Sequence, residues 1–541
     1  MKRGLRWMAA VATLGGVLAL AGAWSPGWAE YAGATVPKSA NLGRPDALLM
    51  TRSLATLPRD ALKLPLAQDL LTEEFLFYYQ SHPDVLGIEG AVRRISYERS
   101  LDWSDELVRW FLDRPAQVAL WRDDKGALRH WALATERKAL GRVFETLAAV
   151  AAADGQVFSA GSIPADNSGI ALYTLRLRTN RTLLLASQGD RVLVFSDPGL
   201  VLDAERQPRK ESADVVRALM TRPAEASPTP WQRSFRAGDA PSAHSLFLRA
   251  SALGFGYERF FPALLATRLD FGDGAWVSHV LTDDSAPGAA LVADRRSWEA
   301  APIRPAACAQ LPIDWRAGDA TLRAAESLDP AYASTLAGRF DGPVLACWYA
   351  ESGLLAPLFV AGVDGKRPPD DKAIAALVEW ALRGEVPAAD KTRKRTPDVR
   401  RWQQVIKVPF GSVDEQGLPA PGTTTVTVAR AGRYLLFSPN AARVDAAIET
   451  LARRRPSLAT TLPESGALFA FVTPAALSTL ARDEVSKMLP AGQEPVLRPV
   501  AERTLLPRLA AAGRHPAHRA VLSPAAGADG WRTLDWQALP E

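Results

Sequence analysis

QVALWRDDKGALRHWALATE, residues 117–136, reads as two apolar strands around a polar turn. The same plan returns in PVLACWYAESGLLAPLFVAG, residues 343–362. At an offset of 227 positions, Ala119, Trp121, Gly126, Leu128 and Ala134 fall on Ala346, Trp348, Gly353, Leu355 and Ala361. Further matches follow in the same order. At an offset of 242, Arg191, Leu193, Phe195, Ser196, Asp203 and Ala204 fall on Arg433, Leu435, Phe437, Ser438, Asp445 and Ala446. Leu246-Phe247 answers to Leu468-Phe469, and Asp273-Gly274-Ala275-Trp276 to Asp529-Gly530-Trp531. The offsets differ by loop length. The expected fold class is therefore α+β: two tandem copies of one unit, each an antiparallel sheet with helices on one face. The unit boundaries are expected at 42–300 and 301–541, after a segment at 1–29 and a leader at 30–41.

Outward from the hairpins, alternating apolar runs predict strands at 44–57, 91–98, 170–178, 182–195, 245–249, 275–282 and 423–437. Helical spacing predicts helices at 60–79, 103–112, 140–153 and from Asp370 onward, the last with Ile374, Leu377, Val378 and Ala381 on one face. The stretch 221–243 is Pro-rich and polar and reads as a loop.

A chain of 541 residues is too long for one core. Its 64 basic residues against 59 acidic ones leave a net charge of only +5. No concentrated basic face and no nucleic-acid motif accompany it, so nucleic acid is not an expected partner. The 16 Trp have two readings, core packing or aromatic platforms for sugar or peptide ligands.

Lys2, Arg3 and Arg6 precede the uncharged stretch Trp7 to Trp24, and Ala21-Gly22-Ala23 and Gly27-Trp28-Ala29 are cleavage contexts. The segment is either a cleaved signal peptide or a retained transmembrane anchor in the inner membrane. Both alternatives place the rest of the chain in the periplasm. No Cys lies near it, which argues against a lipoprotein signal.

The segment LATLPRDALKLPLAQDLLTEEFLFYYQSHPDVLGIEGAVRRISYE, residues 54–98, together with the WRDDKG hairpin, resembles an uncharacterised proteobacterial family, domain-of-unknown-function family 2138. The resemblance runs over nearly the whole mature chain. It implies an envelope role, because genes of that family tend to lie beside genes for alpha-2-macroglobulin-like envelope proteins. It carries over no functional residue.

Signatures of known chemistry do not occur. The chain has no G-x-S-x-G, Walker loop, G-x-G-x-x-G, H-E-x-x-H or EF-hand loop. No catalytic residue, cofactor or metal is assigned. Of the six His, only His515 and His518 are close, and Pro516 between them favours a loop over a metal-binding helical face. Asp123-Asp124 and Asp370-Asp371 fall at turns or helix starts, where carboxylates cap backbone donors. The run Lys391-Thr392-Arg393-Lys394-Arg395, with Arg400 and Arg401, is a solvated loop or a contact for anionic lipid or an acidic partner.

Two functions follow. One is a non-enzymatic envelope scaffold or binding module working with a partner such as an alpha-2-macroglobulin-like protein. The alternative is an envelope hydrolase acting on peptide or peptidoglycan through an unrecognised site, so enzymatic activity stays open, with the balance toward none. The two cysteines, Cys308 and Cys347, are expected to form a disulfide in an oxidising compartment. The internal match supports this pairing by aligning Cys308 with Leu48 and Cys347 with Leu120.

Overall fold

The computed structural model describes residues 41–54, 56–62, 114–123, 128–136, 157–165, 169–178, 181–221, 228–238, 243–253, 261–286, 295–315, 336, 338–354, 356–382, 399–413, 419–461, 467–488, 498–499, 502–503 and 505–539. The expected N-terminal segment at 1–29, the helices at 103–112 and 140–153, most of that at 60–79, the strand at 91–98, and the basic run at 391–395 lie outside them. So do His82 and Asp124.

In chain order the strands are β1 (Ala47–Thr51), β2 (Ala116–Arg122), β3 (Leu128–Glu136), β4 (Val157–Ile163), β5 (Ile170–Arg178), β6 (Arg181–Gln188), β7 (Arg191–Phe195), β8 (His244–Arg249), β9 (Leu264–Gly272) and β10 (Ala275–Thr282). They continue as β11 (Ala307–Leu311), β12 (Phe340–Trp348), β13 (Leu358–Val363), β14 (Val399–Val413), β15 (Pro419–Ala431), β16 (Tyr434–Ser438), β17 (Ala467–Val472), β18 (His518–Leu522) and β19 (Trp531–Ala538).

These nineteen strands form one sheet, and every pairing is antiparallel. From one edge the strands run β4, β5, β6, β7, β3, β2, β1, β8, β9, β10. They then continue without a break through β19, β18, β17, β11, β12, β13, β16, β15 and β14. The join is the pairing of β10 with β19, from Ser278 opposite Leu534 to Leu281 opposite Trp531.

This corrects the expected fold class. The chain is not two tandem α+β units with helices on one face. Its apolar matches reflect strand order within a single sheet, and helices cover both faces of that sheet. The reason is visible in the alternation of the central strands. Successive side chains point to opposite faces, and β8 and β9 carry buried residues on both. One face packs Leu48, Trp121, Phe195 and Phe247 under the helices Lys210–Met220 and Pro230–Ser234. It continues past the join as Leu345, Leu358, Leu436 and Phe471 under the helix Ala441–Leu451. The other face packs Leu246, Phe271, Val280, Leu522 and Trp536 with Leu57 and Leu477, from the helices Leu57–Leu62 and Pro474–Met488. There the helix Asp371–Leu382 lies with Ile374 and Val378 against Val428.

Turn chemistry fixes the hairpins. Asp273 and Gly274 take φ of 48° and 74° between β9 and β10, the pair of positive values that a tight hairpin turn needs. The stretch read as a loop at 221–243 holds the short helix Pro230–Ser234. Its N-cap Thr229 and Gln232 form a capping box. Trp231 in that helix is wholly buried.

Candidate functional site

The centre of the sheet holds a connected set of polar side chains, of which Ser245, Arg268 and Asp270 are buried. Asp270 on β9 is 5% exposed. Its Oδ1 accepts from Ser245 Oγ on β8 at 2.5 Å and from Arg268 Nε at 2.8 Å. Its Oδ2 lies 3.2 Å from His279 Nε2 on β10. His279 Nδ1 in turn lies 3.3 Å from Thr533 Oγ1 on β19. Register explains the convergence: Ser245 stands opposite Asp270, Arg268 opposite His279, and His279 opposite Thr533. The cluster therefore staples four adjacent strands across the join.

Burial pushes the Asp270 carboxyl up. The hydrogen bonds from His279, Arg268 and Ser245, with the Arg268 charge, outweigh burial and hold it below the ordinary carboxylate range. Arg268 also lies over the Phe247 ring, 5.2 Å from its centroid. A serine, a histidine and an aspartate meet here, but in the wrong order for nucleophile activation. That chemistry places the imidazole between hydroxyl and carboxylate. Here the carboxylate lies between the other two.

Directly behind this cluster, His244 is fully buried on the opposite face. Its Nδ1 lies 2.8 Å from Thr51 Oγ1 on β1 and its Nε2 3.2 Å from Asp60 Oδ2. Asp60 sits on the helix Leu57–Leu62, so this set ties that helix to β1 and β8. Two indoles serve the chain entry in the same way. Trp121 Nε1 donates to the Asn41 carbonyl at 3.0 Å, and Trp231 Nε1 donates to the Leu42 carbonyl at 2.9 Å.

The residues singled out in the sequence fall as follows. Cys308 and Cys347 form a disulfide, with their Cα atoms 4.1 Å apart on directly opposed positions of β11 and β12. The alignment used to argue for it is one residue out of register: Leu120 stands opposite Ala47, and Leu48 opposite Ala119. His515 and His518 are not brought together on a helix. His518 lies in β18 with Nδ1 2.7 Å from the Pro516 carbonyl. No group of three or more metal-ligating side chains occurs among the described residues. Asp123 pairs with Arg129 at 3.1 Å. Asp370 caps the backbone of the following helix, and Asp371 takes Arg400 on one oxygen at 3.0 Å and Arg430 on the other at 2.7 Å. Arg401 pairs with Asp445. Among the described residues, no helix is long and apolar enough to cross a membrane.

Sequence reasoning missed the Ser245, Arg268, Asp270 and His279 cluster. The signal was polar residues set among apolar ones within strands: Arg268 and Asp270 flank Leu269, and His279 precedes Val280.

Compared with known proteins, residues 4–540 match the model of a family described as an uncharacterized protein conserved in bacteria, DUF2138. The chain belongs to this family. A DUF2138-like relative is uncharacterized protein YfaA of Escherichia coli strain K12. It is 30% identical over 561 residues that take in 97% of each chain. Among solved structures, crystal form I of TP0453 aligns over 76% of this chain and 98% of its own, at 9% identity and a TM-score of 0.19. That score is too low to indicate a common fold. The resemblance drawn from residues 54–98 and the WRDDKG hairpin is thus correct at the level of family.

Proposed function

We propose that this DUF2138 member is an exported, non-enzymatic scaffold or binding module of the cell envelope, serving a protein partner such as an alpha-2-macroglobulin-like protein. The observation that carries the reading is how the central polar side chains are used. Asp270 accepts from three side chains at once, and His279 and Thr533 extend the set to the next strand. Groups committed in this way hold strands in place. Export is supported by the basic, then apolar, N-terminal sequence and by the Cys308–Cys347 disulfide, which suits an oxidising compartment.

A crosslinked pull-down of the C-terminally tagged chain from intact envelopes tests the partner. A reproducible protein, recovered only with crosslinker, is the expected result. Repeated recovery of the chain alone sinks the scaffold reading. A reporter fused after Glu541 tests export separately: activity is expected only outside the cytoplasm, and cytoplasmic activity overturns it. Fractionation of the same cells then separates a retained anchor at residues 7–24, which pellets with membranes, from a cleaved signal.

A further inference from the structure

No further inference is drawn: the strongest candidate, the exposed Val405 on the β14–β15 ribbon beyond its pairing with β16 at Thr427, is an unpartnered apolar side chain, and nothing in the structure shows what covers it.

Discussion

Asp270 links three strands at the centre of the sheet, through Ser245 on β8, Arg268 on its own strand and His279 on β10. Its carboxyl is held below the ordinary value of about 3.9. A carboxyl depressed in the folded state contributes stability above its unfolded value and loses it as pH falls through the folded one. Asp270→Asn is therefore expected to cost about 2–4 kcal/mol at pH 7, because the buried Arg268 loses its nearer charge partner and keeps only Asp529, at 4.0 Å. The deficit should begin to shrink below about pH 4, where the unfolded wild type takes up the proton, and go on shrinking until the folded carboxyl is protonated too. Denaturant titrations of both proteins at pH 7 and pH 3.5 check this. Equal deficits at the two values rule out the charged role of Asp270.

Trp231 makes a different kind of prediction at the same scale. Its ring is wholly buried and lies 6.0 Å from the Trp121 ring, edge on. Trp231→Phe removes the donor to the Leu42 carbonyl and is expected to cost about 1–2 kcal/mol. Trp231→Ala also opens a cavity and is expected to cost about 3–5 kcal/mol. Urea midpoints for the pair give both numbers. A Phe variant as unstable as the Ala variant makes packing geometry, not the hydrogen bond or cavity volume, the dominant effect.

At the scale of elements, the disulfide joins β11 to β12 and closes a separation of 39 residues. Chain entropy gives a contribution of roughly 4 kcal/mol. The double variant Cys308→Ala, Cys347→Ala is expected to lose about that much. The unreduced, denatured wild type should show no free thiol, and two titratable thiols count against the bond. Strands were the legible elements. The expected strands at 170–178 and 275–282 coincide with β5 and β10, because both are short, mostly apolar runs that follow a glycine, Gly169 and Gly274. The helix after Asp370 was legible from its apolar spacing. The helix around Trp231 was not, although Thr229 and Gln232 spell a capping box, since the prolines around it outweighed a five-residue element. The central cluster stayed hidden because its members lie on four strands, and only register brings them together. The disulfide was legible by elimination in a chain with two cysteines, whereas the register supporting it was misread by one residue.

For the whole molecule, a local repeat of strand pattern does not fix whether strands close into two sheets or join into one. That choice rests on β10 and β19, which come together from positions about 250 residues apart, as in the Trp536 indole donating to Ser278 Oγ at 2.8 Å. The Arg532 side chain adds a pairing with Asp284 across the same join. One apolar core also spans it, with Val280 and Phe271 packed among Leu522, Leu534 and Trp536. A sheet and core shared in this way should unfold as one cooperative transition. Far-UV circular dichroism and Trp fluorescence are expected to give coincident midpoints. Two separated transitions, assignable by proteolysis to residues 42–300 and 301–541, exclude that coupling. Trp536→Ala, placed at the join, should lower the single midpoint rather than split it.

The two indoles that hold the carbonyls of Asn41 and Leu42 have a mechanical meaning. They lie just ahead of β1, which is flanked by β2 and β8 in the middle of the sheet. A pull on the N-terminal side of residue 41 is therefore delivered to an interior strand with neighbours on both sides. Such a strand has to be sheared out along its length, breaking its ladder bonds together. A strand such as β4, with one neighbour among the described residues, could be unzipped bond by bond. The chain takes up tension where its sheet is hardest to peel.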